Sequence, residues 1–148
     1  MHLAVDGHGL PLAVLLTGGQ VGDNPQLLPL LDAVAVARPG RARPRTTVAR
    51  VLADKAYSHP STRAALRRRR IPHTIPERRD QQALRARRGS RGGRPPNFDA
   101  EIYRRRNVVE RCFNRLKQWR GIATRYDKKA SNYKAGVLLA ATILWIRT

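Results

Sequence analysis

Short apolar runs separated by proline and glycine limit what this chain can fold into. Two runs, residues 3–5 and 10–16, flank the turn "DGHG" and predict a β-hairpin. Runs within 47–57 and 71–78 predict brief strands, and residues 59–70 between them have a helical composition. Asn24 and Pro25 predict a helix start, because Asn is a good N-cap and Pro a good first helical residue. Strands that alternate with helices predict an α/β fold.

The second half of the chain predicts two helices, over residues 99–120 and 131–146. The longest apolar run, "GVLLAATILWI" at 136–146, is shorter than the roughly 20 residues that span a bilayer, so it predicts a buried segment and no membrane partner. Residues 38–45, "RPGRARPR", predict a loop. Residues 79–98 carry few apolar side chains, three glycines and two prolines, which predicts a flexible basic loop.

The charge of the chain points to a polyanionic partner. Lys and Arg number 30 against 10 acids, a formal net charge of +20. Such a charge repels itself and opposes compaction, and nucleic acid is the commonest compensation. A solvated charged face and an anionic membrane surface are the alternatives. The single cysteine, Cys112, excludes a disulfide within the chain and a Cys-based metal site. It fits a reducing cytoplasm, and no secretory signal opens the chain.

Glu110 is the one acid between Glu101 and Asp127, within a strongly basic segment. Helical spacing places an apolar stripe on the same segment: Val109, Cys112, Phe113, Leu116 and Trp119. The same arithmetic places Glu110 on the polar border of that stripe, with Tyr103, Arg106 and Lys117 within roughly 60° of arc. The structural alternative is an exposed ion pair with Arg106, which would contribute about 0.3 kcal/mol.

Asp54 is the second isolated acid. It ends an apolar strand and is followed by "KAYSHPS", a loop that enters a helix. In open α/β sheets the carboxyl ends of strands line the active crevice, so Asp54 is a candidate ligand for a divalent metal. The structural alternatives are a helix N-cap or a surface ion pair with Lys55 or Arg79.

Together these segments resemble insertion-sequence DDE transposases over nearly the whole chain. The pattern "Y-x2-R-x3-E-x6-K", formed by Tyr103, Arg106, Glu110 and Lys117, resembles the glutamate motif of the family, which usually has Arg at the last position. "VLADKAYSHP" resembles the segment with the second catalytic Asp, and Asp54 and Tyr57 match it. "LTGGQVGDNPQLLPLL" and "ATILWIRT" resemble two further segments, and in the first Asp23 matches a recurrent non-catalytic Asp.

The resemblance implies an RNase H-like catalytic domain over residues 1–148, with a mixed sheet and flanking helices. It implies that Asp54 and Glu110 are catalytic carboxylates that bind Mg²⁺ or Mn²⁺ for DNA cleavage and strand transfer. Tyr103, Arg106 and Lys117 would contact the scissile DNA or orient Glu110. We expect the DNA backbone to be held by clustered arginines, as contacts that position without reading sequence. These arginines are Arg67, Arg68, Arg69 and Arg70, together with those of the basic loop 85–94, among them Arg87 and Arg88.

The first strand and first Asp of the family lie upstream of His2, so we expect an incomplete domain that is inactive alone. Asp6 is a poor replacement, because Asp-Gly has an ordinary role in turns. Either the first hairpin pairs with the Asp54 strand, or an upstream transposase fragment or a homo-oligomer supplies the missing strand. The expected partners are transposon ends and target DNA, in the bacterial cytoplasm at the nucleoid. Two alternatives remain: a non-catalytic DNA-binding regulator, and a general nucleic-acid-binding protein.

Overall fold

The computed structural model describes residues 1–148, except the side chains of residues 41 and 42. Six strands form three two-stranded sheets. The strands are β1 His2–Val5, β2 Pro11–Leu15, β3 Val36–Arg38, β4 Arg41–Arg45, β5 Val51–Leu52 and β6 His73–Thr74. The helices are α1 Leu27–Asp32, α2 Pro60–Arg68, α3 Arg79–Arg87, α4 Ala100–Arg104, α5 Asn107–Lys117, α6 Arg120–Thr124 and α7 Ala130–Ile146. The α/β class is therefore confirmed.

The strands do not form the single mixed sheet that we expected. β1 pairs with β2 and β3 with β4, both antiparallel, whereas β5 pairs with β6 in parallel. Of the two expected alternatives for the missing strand, direct pairing of the first hairpin with the Asp54 strand is wrong, because β5 pairs only with β6 among the described strands. Proline explains why the β5–β6 ladder stays short: Pro72 and Pro76 flank β6 and have no backbone N–H to donate.

The chain divides into two compact units. The first comprises Met1–Val21, Leu28–Thr47 and Asn107–Thr148. In its core, α5, α6 and α7 pack with the β1–β2 hairpin. The buried side chains of this core are Leu3, Val14, Cys112, Leu116, Ile122, Tyr133, Val137, Ala140 and Leu144. The apolar stripe predicted on α5 is confirmed, since Cys112 and Leu116 are fully buried and Phe113 and Trp119 pack beside them.

Two contacts fix α5 and α7 to the first hairpin. The Arg115 guanidinium of α5 donates a hydrogen bond to the Gly9 carbonyl, and the indole N–H of Trp145 donates to the Pro11 carbonyl at 2.8 Å. Within the hairpin turn, the Asp6 carboxylate accepts from the backbone N–H of His8 and Leu10 at 2.9 and 2.8 Å. Asp6 therefore has the turn role that the sequence predicts.

The second unit comprises Gly22–Leu27 and Val48–Arg106. Leu66 of α2 and Ile75, which follows β6, are fully buried side chains of this unit. Arg63 of α2 is buried as well, and its guanidinium donates to the carbonyls of Ile75 and Pro76 at 2.8 and 3.3 Å. These bonds satisfy two carbonyls beyond β6, so Arg63 is a structural residue of this unit.

Two segments predicted as loops contain regular structure. Residues 38–45 form most of the β3–β4 hairpin, because Pro39 and Gly40 supply its turn and Gly40 takes a φ of +67°. Residues 79–98 begin with α3, since its residues up to Arg87 are good helix formers and the first glycine is Gly89. Arg85 of α3 also pairs with Glu77. The flexible basic loop is thus wrong for 79–87.

The single helix predicted over 99–120 is wrong as well. It is divided into α4, α5 and α6, with the first break at Arg105 and Arg106. The backbone N–H groups of Arg105 and Arg106 bond to carbonyls three residues back, at 3.1 and 2.9 Å, which tightens the last turn of α4 and ends it. By contrast, the helices predicted over 59–70 and 131–146 are confirmed as α2 and α7.

Candidate metal and DNA site

Asp54 lies at the carboxyl end of the parallel pair. The ladder ends with the backbone N–H of Ala53, which donates to the Thr74 carbonyl at 3.4 Å, and Asp54 is the next residue. Its carboxylate Oδ1 accepts from the backbone N–H of Ala56 at 2.8 Å, so Asp54 caps a short 3-10 turn, Lys55–Tyr57. Asp54 is therefore an N-cap residue, as the structural alternative predicts. The cap engages one carboxylate oxygen, and a carboxylate has a second oxygen to offer to a cation.

The pKa of Tyr57 responds to the charge of Asp54. Burial of the phenol, followed by the negative charges of Asp23 and Asp54, raises the pKa of Tyr57 to about 12. Two carboxylates thus act on one tyrosine at the carboxyl end of β5. The sequence identifies Asp54 from its place at a strand end, but Asp23 and Tyr57 only as matches to a family pattern. The effect of both carboxylates on the pKa of Tyr57 indicates that the three residues are close together.

Glu110 lies in the first turn of α5, with an exposed side chain. The N-terminal end of a helix favours a negative charge by about 0.3–1 kcal/mol, which explains why an acid is tolerated there without a catalytic role. Lys117 is the last residue of the same helix, two turns from Glu110, and is exposed too. The predicted common face therefore holds for Glu110 and Lys117.

Tyr103 and Arg106 do not share that helix. Tyr103 lies in α4, and Arg106 follows it within the second unit, whereas Glu110 and Lys117 belong to the first unit. The Arg106 guanidinium lies 5.6 Å from the centre of the Tyr103 ring, and the Phe98 ring lies 5.2 Å from it, tilted by 55°. A cation over an aromatic face is attracted by the ring, so this stack fixes Arg106 beside Tyr103.

Carboxylate oxygens are the ligands that Mg²⁺ prefers, so the chemistry of Asp54 and Glu110 fits a divalent metal. They lie in different units of the fold. Among the described residues, no group of three or more His, Cys, Asp or Glu side chains is placed to hold a metal ion. The convergence of Asp54 and Glu110 on one ion remains a prediction.

The predicted DNA-binding arginines separate into groups. Arg67 and Arg70, at the end of α2, line a groove of about 640 Å³ in the second unit. Arg68 and Arg69 are exposed but are not part of its lining. Arg88 lines a second cavity of about 340 Å³ in the same unit. Arg94, from the basic segment 85–94, also lines the larger groove. Arg50 lines it as well, and the sequence does not single it out because only the fold brings it to Arg67.

No helix within the described residues has both the length and the apolar character to cross a membrane.

Comparison with known proteins decides the family. The model of the transposase DDE domain matches residues 1–145. The chain belongs to the DDE transposase family. A protein assigned as the transposase for insertion sequence element IS402 of Burkholderia cepacia is 34% identical over 143 residues, which cover 97% of this chain and 60% of that protein. No solved structure matches the chain.

A second DDE transposase relative has nearly the same extent as the chain. A protein assigned as the transposase for insertion sequence element IS6501 of Brucella ovis is 31% identical over 147 residues, 99% of this chain and 97% of that protein. The chain therefore spans nearly all of one relative and about 60% of the other.

Proposed function

We propose that this chain acts in DNA transposition, with Asp54 and Glu110 as two of the carboxylates that bind the divalent metal of strand cleavage and transfer. The observation that carries the proposal is the location of Asp54, at the carboxyl end of a parallel strand pair in a chain of this family. The proposal includes an RNase H-like arrangement of the whole catalytic domain, which the β5–β6 pair and α2 fit as one part.

The charges of the chain suit this chemistry. A phosphodiester is anionic and repels its nucleophile, and bound Mg²⁺ would supply the positive charge that activates an attacking hydroxyl and stabilises a leaving oxygen. Arg106, held on Tyr103, and Lys117 are the cations of the glutamate motif and would contact DNA phosphate. A net charge of +20 draws DNA to the protein as a whole.

The family chemistry uses three carboxylates, and the matched motifs of this chain supply two. We therefore propose that an upstream segment or another protein chain completes the site, and that transposon ends and target DNA are its substrates. The 148-residue polypeptide tested by itself should bind DNA but should not join strands. Strand joining by the purified polypeptide with Mg²⁺ or Mn²⁺ would contradict this part of the proposal.

The test of the metal site uses two substitutions that preserve the size of the side chain. Asp54→Asn removes the charge and keeps a residue that can cap the turn. Glu110→Gln removes the charge in the first turn of α5. We expect each to weaken Mn²⁺ binding about tenfold or more, because an amide is a poorer ligand for a hard cation. Isothermal titration with Mn²⁺, at neutral pH, measures the affinity directly.

Glu101→Gln is the matched control, since Glu101 is also an exposed acid in the first turn of a helix and belongs to no motif. It should leave Mn²⁺ affinity unchanged. If Asp54→Asn and Glu110→Gln behave like the control, the two carboxylates are not metal ligands, and a non-catalytic DNA-binding protein is the better description of the chain.

A further inference from the structure

The larger groove of the second unit is a concentrated patch of positive charge. It lies beside the β5–β6 pair, the end of α2 and the proline-rich segment 94–97, and it has a volume of about 640 Å³. Its lining is Arg50, Arg63, Arg67, Arg70, Ile71, Pro72, His73, Arg94, Pro95, Pro96 and Asn97. Five of these residues are arginines and none is acidic, so no side chain of the lining neutralises them.

These arginines are not equivalent. Arg63 is buried and is fixed by the carbonyls of Ile75 and Pro76, so it contributes charge from the floor of the groove. Arg50 donates to the Thr74 hydroxyl at 3.4 Å. The side chains of Arg67, Arg70 and Arg94 are exposed. Exposed guanidinium groups around a cationic floor attract anions strongly, because each can donate two parallel hydrogen bonds to one phosphate.

Arg70 also has an unusual backbone. It follows the C-cap of α2 with a φ of +55°, in the left-handed region that favours glycine. The N–H of Arg70 bonds to the Arg67 carbonyl at 2.9 Å and the N–H of Ile71 to the Leu66 carbonyl at 2.9 Å, which together end the helix as a Schellman motif. Glycine would make the same bonds without strain, so Arg70→Gly removes the side chain without breaking the end of the helix.

We propose that this groove binds the sugar–phosphate backbone of DNA through Arg50, Arg67, Arg70 and Arg94, independently of the metal site. A groove of about 640 Å³ lined by five arginines is larger than one small anion needs, and it suits successive phosphates of a backbone better. Contacts to phosphate alone fix the position of a duplex and do not read its sequence. The inference rests on the proposed function in that it takes DNA as the partner, but it does not require Asp54 or Glu110.

Arg70→Gly is the decisive variant, because it should improve folding while it impairs binding. Relief of the left-handed strain should raise the thermal midpoint by about 2–4 °C. Loss of one phosphate contact should reduce the magnitude of the negative slope of log K against log salt by about 0.9. It should also raise the Kd for duplex DNA about fivefold at about 0.1 M NaCl. Fluorescence anisotropy with duplexes of unrelated sequence, in EDTA, measures the slope and the Kd.

Arg125→Gly is the matched control. Arg125 follows α6 with a φ of +52°, belongs to the other unit and is absent from the lining of the groove. This variant removes the same charge and the same strain, so the thermal midpoint should rise equally while the Kd changes less than about twofold. Equal losses of affinity in the two variants would overturn the proposal, since they would show a response to net charge alone.

A second pair of variants covers the case in which Arg70→Gly alters the end of α2. Arg94→Gln removes a lining residue and Arg79→Gln removes another exposed cation of the same unit outside the lining. Only the first should weaken DNA binding about fivefold, and equal effects would again overturn the proposal. Inorganic phosphate that competes as effectively as DNA, per mole, would overturn it too, because it would identify a small-anion site.

The experiments can refute the DNA-binding groove and the proposed metal site independently of each other. If Asp54→Asn and Glu110→Gln retain Mn²⁺ affinity while Arg70→Gly weakens DNA binding, only the metal site is refuted. If those two variants lose Mn²⁺ and Arg70→Gly matches Arg125→Gly, only the groove is refuted.

Discussion

At the scale of single residues, Tyr57 reports on the charge around the candidate metal ligand. Its pKa is raised from 10.0 to about 12 by burial and by Asp23 and Asp54, so folding keeps the phenol protonated. This contribution to stability is fully present below about pH 10 and is lost as the pH rises to about 12. The full shift corresponds to about 2.7 kcal/mol, and solvent screening of the partly buried ring reduces it to about 1 kcal/mol.

Tyr57→Phe should therefore remove a pH-dependent stability term of about 1 kcal/mol. The free energy of unfolding of the native protein, measured by urea titration, should fall relative to that of the variant between about pH 9 and pH 12. Tyr126→Phe is the control, because Tyr126 is 67% exposed and folding leaves its surroundings close to water. A constant gap between the native protein and Tyr57→Phe across this range would show that folding does not raise the pKa of Tyr57.

Asp54 combines a structural and a proposed catalytic role, and two substitutions separate them. Asp54→Ala loses the hydrogen bond from the backbone N–H of Ala56, so it should destabilise the protein by about 1 kcal/mol. Asp54→Asn retains a capping oxygen and should lie within a few tenths of a kcal/mol of the native protein. Urea midpoints of the two variants give the comparison. Equal destabilisation would show that charge, and not the cap, determines the stability at this position.

The positions of these residues follow from the sequence only in part. Asp54 and Glu110 stand out as isolated acids, Tyr57 is found only through the family resemblance, and the short apolar run that precedes Asp54 explains its strand. Spacing does not show that Tyr103 and Arg106 lie before a helix break, because the break comes from hydrogen bonds three residues back and not from a proline or glycine. Arg50 and Arg94 are far apart in the chain and line one groove through tertiary packing alone.

At the scale of elements, local chemistry explains both the successes and the failures of prediction. α2 is predictable because Pro60 begins it and Pro72 follows its end, and α7 because its apolar residues are continuous. The β3–β4 hairpin escapes prediction because "RPGRARPR" has no apolar alternation, although Pro39 and Gly40 are ordinary residues for a turn. α3 escapes it because the glycines that follow lower the helical propensity of the whole segment 79–98.

In α5 a buried residue, Leu116, is followed directly by an exposed one, Lys117, so substitutions at the two positions test how the helix packs. Leu116 is fully buried in the core of the first unit, so Leu116→Ala should destabilise the protein by about 2–5 kcal/mol through lost burial and the cavity that remains. Lys117 is exposed, so Lys117→Ala should change stability by less than about 0.5 kcal/mol. Chemical denaturation measures both. Similar losses would mean that α5 does not pack through the stripe of Cys112 and Leu116.

Lys117→Ala has a second use, because the proposed function assigns Lys117 to DNA. Its stability should be unchanged while its affinity for DNA falls, whereas Leu116→Ala, where it still folds, should keep its affinity. Leu116→Ala should therefore lower stability alone, and Lys117→Ala should lower DNA affinity alone.

At the scale of the whole molecule, the net charge of +20 affects folding and DNA binding in opposite directions. Mutual repulsion of the cations opposes the compact state, and salt weakens this repulsion as the Debye length falls from about 10 Å at 0.1 M to about 3 Å at 1 M. The thermal midpoint should therefore rise by a few degrees between about 0.05 and 0.5 M NaCl. DNA binding should weaken over the same range, because counterions released from the duplex gain less entropy in concentrated salt.

Calorimetry and anisotropy on one preparation measure the two trends together. A midpoint that falls with salt would mean that ion pairs, such as Arg85 with Glu77, contribute more to stability than repulsion removes. Arg70→Gly should reduce the salt slope of DNA binding by about 0.9 while its thermal midpoint keeps the salt dependence of Arg125→Gly. Net charge and groove are distinguishable in this way, because both variants lose the same charge and only Arg70 belongs to the groove.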